Sequence, residues 1–122
     1  MTQGIRVLIV DRQPRAQQSL RARLATLPEV EEIQAARNGC AAFERVEEFQ
    51  PDVVLIDLQK PDLDGLDATR LIKQRAPHVK VIILSMYADL ETAALAAGAH
   101  TFVSQGEPPE KLLETFSRVA GL

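Results

Sequence analysis

Three apolar runs carry almost no interleaved polar residues: Ile5 to Val10 apart from Arg6, Val53 to Ile56, and Val81 to Leu84. Runs of this kind, rich in Val and Ile, predict strands covered on both faces, as in a parallel sheet. Ile33 to Ala36 and Thr101 to Val103 predict two weaker strands, the second set between Gly98 and Gly106. Between these runs the apolar spacing becomes helical. Leu20, Leu24 and Leu27 lie on one face, Ala42, Val46 and Phe49 on another, and Leu112, Leu113, Phe116, Val119 and Ala120 form a third stripe. Two less amphipathic helices are expected over Leu66 to Arg75 and over the alanine-rich stretch Ala88 to Ala97. Pro28, Pro51 and Pro77 fall where three of these helices must stop.

Strict alternation of strand and helix, five of each, predicts an α/β fold with a doubly wound parallel sheet. With no repeat, linker or low-complexity segment, residues 1–122 are expected to form a single domain. Ligands of such sheets bind beyond the carboxyl ends of the strands, where the strand order reverses. Asp11, Asp57, Ser85 and Gln105 lie at or just after four of those ends, and Arg12 follows Asp11 directly. The fold should therefore gather them on one rim.

A carboxylate at a strand end, beside a second one, can hold a hard cation such as Mg2+ or attack phosphorus to give an acyl phosphate. Phosphoryl transfer also needs the equatorial oxygens neutralised by a metal, a cation or a hydroxyl donor, a role open to Ser85. The competing reading is structural, with each of these residues capping a turn or a helix start. Asp62 and Asp64 are expected to do just that before the third helix.

Composition narrows the remaining classes. A net charge of -3, with Lys and Arg scattered over many segments, gives no basic stripe for a nucleic-acid backbone. The single Cys40 excludes an internal disulfide, and the first residues lack a signal-type apolar region, so a cytoplasmic protein is expected. No apolar run approaches the ~20 residues of a membrane span. His78 and His100 have no partners at ligand spacing and are expected to be structural or exposed. Cys40 has only Arg37 as a basic neighbour, which argues against a reactive thiol.

The segments Val7-Leu8-Ile9-Val10-Asp11, Pro51 to Leu58 ending Ile56-Asp57-Leu58, Lys60-Pro61-Asp62-Leu63-Asp64-Gly65-Leu66, Lys80 to Ser85 and Pro108-Pro109-Glu110-Lys111-Leu112 resemble the receiver domain of bacterial two-component response regulators, most of all the NarL type. The likeness runs from Ile5 to about Val119. It implies a flavodoxin-like (βα)5 fold with strand order 2-1-3-4-5, and a phosphorelay partner such as a sensor histidine kinase or another signalling protein. It also implies homodimer formation and a C-terminal helix-turn-helix output, which would lie beyond Leu122. Residue by residue, Asp57 matches the phospho-acceptor, which is also a metal ligand, and Asp11 one of the Mg2+-binding acids. The backbone carbonyl of Gln59 matches a further metal ligand, Ser85 the switch hydroxyl, and Phe102 the aromatic switch residue.

Two positions depart from that pattern. Arg12 stands where a second acid is expected, and Gln105 stands where a phosphate-binding lysine is expected. Mg2+ binding should weaken, because a guanidinium replaces a carboxylate beside the cation. Gln105 can still hydrogen-bond, but it brings no charge to an acyl phosphate. The expected function is an atypical receiver with impaired phosphorylation at Asp57, acting as a protein-interaction module. The alternatives are a working receiver phosphorylated slowly at Asp57, an aspartyl-nucleophile phosphohydrolase, and a small-ligand sensor using the same rim. The phosphohydrolase is disfavoured because Gln59 stands where such enzymes carry a second Asp.

Overall fold

The computed structural model describes residues 4–58 and 64–122. The elements run β1 (Ile5–Val10), α1 (Pro14–Leu24), β2 (Val30–Ala36), α2 (Gly39–Phe49), β3 (Val53–Leu58), α3 (Asp64–Arg75), β4 (Lys80–Ser85), a 3-10 turn (Ala88–Leu90), α4 (Glu91–Ala96), β5 (Thr101–Ser104) and α5 (Pro109–Ala120). The strands form one parallel sheet in the order β2-β1-β3-β4-β5. Because β1 lies between β2 and β3, the chain changes winding direction there, and the crevice at the carboxyl ends of β1 and β3 is the switch point.

Both faces of the sheet are buried, which explains the unbroken apolar runs. Leu8, Val10, Val54, Ile56, Val81 and Ile83 point to the side covered by α2, α3 and α4. Their neighbours Val7, Ile9, Val53, Leu55, Ile82 and Leu84 point to the side covered by α1 and α5, where Phe116 is fully enclosed. Successive strand residues alternate between faces, so a strand covered on both needs apolar residues throughout.

Three elements differ most from the sequence expectation. The second strand starts at Val30, three residues early, because Glu31 and Glu32 point to solvent from an edge strand that pairs only with β1. The first helix stops at Leu24, and Leu27 packs from the following turn. The fourth helix is divided: Ala88–Leu90 is a 3-10 turn and only Glu91–Ala96 is α-helical. Just past that helix the Gly98 N–H reaches the Leu95 carbonyl, and the φ of 110° at Gly98 turns the chain so that the Ala99 N–H reaches that of Ala94. Ala94 and Ala97 are buried, so the small side chains of α4 mainly serve close packing.

Candidate functional site

The fold brings Asp11, Arg12 and Asp57 together at the switch point. They line a cleft of about 210 Å³ with Gln13, Arg37, Asn38 and Asp64 among its other walls. Asp11 is 1% exposed, placed by the end of β1, and its Oδ1 accepts the Gln13 backbone N–H at 2.9 Å. Gln17, one turn into α1, donates from Nε2 to the Asp11 carbonyl at 2.6 Å and to that of Ala36 at 3.4 Å. It thereby ties the ends of β1 and β2 to the helix. Asp57, half-buried in the penultimate position of β3, accepts a 2.6 Å hydrogen bond on Oδ1 from Gln105 Nε2. Gln105 follows β5 and is held there by its own N–H on the Ser85 carbonyl, 3.0 Å away. Arg12 is exposed at the mouth of the cleft.

Ser85 is fully buried at the end of β4. Its hydroxyl donates to the Leu58 carbonyl at 2.9 Å and accepts the Tyr87 N–H at 3.0 Å. Both partners are backbone, so in this conformation the hydroxyl fastens β3 to the loop after β4. Phe102 is half-buried on β5 and packs against the core on the α2–α4 side of the sheet. Gln59, Lys60 and Asp62 lie outside the described residues.

Asp64 does more than begin its own helix. Its Oδ2 accepts the Gly39 N–H at 2.7 Å, so a carboxylate from α3 caps the first turn of α2, beside the cap that Asn38 gives to Ala41. Sequence reasoning assigned Asp64 to the start of α3 alone; the bond it makes spans 25 residues and has no local signature. The same holds for Arg37 and Gln13, which reach the cleft only through the strand order. Asp64→Ala is expected to cost about 1 kcal/mol by stripping a charged acceptor from a helix start. Thermal unfolding should show a Tm lower by a few degrees, with Asp64→Asn in between.

His100 is exposed, at the opposite end of the sheet from the cleft, where desolvation and the charges of Lys73 and Lys80 hold its pKa below the usual imidazole value. Lys73, itself lowered by desolvation, donates to the Pro77 and Val79 carbonyls at 2.8 and 2.7 Å, anchoring the turn after α3. Cys40 is exposed in the first turn of α2.

Three carboxylates, Asp11, Asp57 and Asp64, face two guanidiniums, Arg12 and Arg37, across the cleft. One negative charge is in excess. Mg2+ demands near-octahedral oxygen ligation; here Asp11 Oδ1 and Asp57 Oδ1 each accept one hydrogen bond, and Arg12 and Arg37 line the same cleft. Among the described residues no set of three or more His, Cys, Asp or Glu side chains is arranged to hold a metal ion. The described donors place a half-exposed Asp57 carboxylate at the strand end with an amide donor on one oxygen.

The model of the response regulator receiver domain matches residues 7–117. The chain belongs to this receiver family. It is 34% identical over 113 residues to the uncharacterized transcriptional regulatory protein YhcZ of Bacillus subtilis, covering 91% of this chain and 53% of that protein. A LuxR-family two-component response regulator from Aurantimonas sp. SI85-9A1 superposes with a TM-score of 0.89 at 25% identity, over 97% of this chain and 86% of that one. The response regulator domain of Thermotoga maritima CheB gives a TM-score of 0.82 at 27% identity, over 98% of both. The receiver therefore spans about half the length of the curated transcriptional regulators it matches. No helix among its described residues is long and apolar enough to cross a membrane.

Proposed function

We propose that this receiver works in two-component signalling as an atypical member, with weak Mg2+ binding and slow or absent phosphorylation at Asp57, and that it acts mainly through protein contacts. The observation that carries the reading is the 2.6 Å bond from Gln105 Nε2 to Asp57 Oδ1. A neutral amide occupies the acceptor carboxylate where an ammonium would both hold it and neutralise an acyl phosphate. Arg12 at the cleft mouth supplies the compensating positive charge from the protein itself and lowers the affinity for a divalent cation. Asp11, Asp57 and the Gln59 carbonyl remain the groups that would hold whatever Mg2+ binds.

Switching would be damped for a second reason. Ser85 would have to leave two backbone partners to reach a phosphoryl group, and Gln105 offers only an uncharged pull to draw the loops together. Partners would be a sensor kinase or another signalling protein, with a second copy and a C-terminal DNA-binding output as further candidates by analogy with the regulators above. The chain is proposed to have no turnover of its own. Steady hydrolysis of a generic phosphomonoester that needed Mg2+ and vanished in Asp57→Asn would replace this reading with a phosphohydrolase.

Amide NMR with Mg2+ and beryllofluoride, a mimic of the phosphoryl group, tests the proposal. The expected result is no stoichiometric, slowly exchanging complex at millimolar Mg2+. Slow-exchange shifts at Asp57, Ser85 and Phe102 at one equivalent would overturn it.

A further inference from the structure

On the other side of the Asp57–Gln105 bond lies a larger cleft of about 560 Å³, between α1 and α5. Its volume is in the range of small-molecule sites. Along α1 it is lined by Gln13, Ala16, Leu20 and Arg23, one stripe that spans about 15 Å from the rim towards the middle of the molecule. Leu84 and Val103 from the sheet and Leu112 from α5 make an apolar floor and far wall. The charged groups are segregated. Asp57 and Glu107 lie at the rim, and Arg23 lies at the far end in the last turn of α1.

Arg23 is half-buried, yet among the described residues its guanidinium makes no hydrogen bond or ion pair. The Glu107 carboxylate likewise has no cationic partner there. A guanidinium partly withdrawn from water without a partner is unfavourable unless an anion is available to it. The cleft thus has an acidic end, an apolar middle and a basic end.

We propose that this cleft binds an extended amphipathic zwitterion. The ammonium group lies at the rim by Glu107 and Asp57, the aliphatic body over Leu20, Val103 and Leu112, and the carboxylate against Arg23. Charge complementarity at both ends sets this occupant apart from a simple amphiphile of either sign. An ammonium at the rim competes with the Gln105 amide for Asp57, so occupancy is read directly at the receiver's central carboxylate. The inference stands whether or not Asp57 accepts phosphate.

The probe is ω-aminooctanoate, titrated into the intact chain and followed by amide NMR, with octylammonium and octanoate as single-headed controls. Saturable shifts at Leu20, Val103, Gln105 and Leu112 are expected, with a Kd on the order of 1 mM for so small a ligand. Each control should bind at least about tenfold more weakly, the loss expected for one charge-assisted contact. Arg23→Gln, checked for an undisturbed spectrum, should bring the zwitterion down to the affinity of octylammonium. Glu107→Gln should weaken the zwitterion and octylammonium but leave octanoate unchanged. Absence of saturable shifts, equal binding of all three probes, or an Arg23→Gln variant that keeps full affinity for the zwitterion would each overturn the proposal.

Discussion

Arg12→Asp combined with Gln105→Lys is expected to raise Mg2+ affinity by one to two orders of magnitude, measured by isothermal titration calorimetry. The first substitution changes the charge beside the cation by two units. At about 5 Å and an effective dielectric of about 20 this amounts to roughly 13 kcal/mol against a divalent cation before screening. Arg12 is exposed, and solvent screening reduces the figure to about 1–3 kcal/mol. The lysine adds nothing to metal affinity, and its own charge opposes it slightly. Its role is to replace the neutral Gln105 clasp on Asp57 with an ammonium that can neutralise a phosphoryl oxygen. Arg12→Asp alone should therefore give the larger gain in Mg2+ affinity, while fast acceptance of phosphate is expected only with both changes. An affinity unchanged in the double variant would mean that Arg12 does not govern the cation site.

Gly39→Ala is expected to destabilise the protein by about 1–3 kcal/mol, although alanine is ordinarily the better helix former. Gly39 opens α2 at the point where the starts of α2 and α3 meet. A Cβ there would lie 2.7 Å from the Asp64 carbonyl oxygen and 2.9 Å from the Ala68 Cβ. Neither is the end of a flexible side chain, so relief requires the two helices to part. Parting them also lengthens the bond from the Gly39 N–H to Asp64 Oδ2, which holds one wall of the Asp57 cleft. Chemical denaturation should show a lower midpoint with an unchanged m-value. A stability equal to or above the parent would show that the interhelix contact yields easily.

The architecture was legible because its strands are apolar on both faces and its helices carry single apolar stripes; two periodicities alternating five times leave few other folds. The short β5 was legible only through its flanking glycines. The division of the fourth helix was not, because Ala88 to Ala97 is mostly Ala, Leu and Glu with no Gly or Pro to mark the 3-10 turn that begins directly after Tyr87. The convergence of Asp11, Asp57, Ser85 and Gln105 on one rim followed from the strand ends alone. The direct contact between Gln105 and Asp57 joins residues 48 apart in sequence and needed the structure. Asp64 shows the limit more sharply. Its residue type announced a cap, but which helix it caps depends on how α2 and α3 meet. The apolar cleft by Arg23 left no trace in the sequence, since Leu20 and Leu112 read as ordinary core.

On the proposed reading, Asp57 stands in the acceptor position without the charges that make a fast acceptor. Incubation with acetyl phosphate and Mg2+, followed by intact-mass measurement, tests it most directly, with Asp57→Asn as the control. Little or no phosphate on the native chain, with clear addition to the Arg12→Asp, Gln105→Lys variant, is the predicted result. Rapid, stoichiometric phosphorylation of the native chain that is lost in Asp57→Asn would contradict the account.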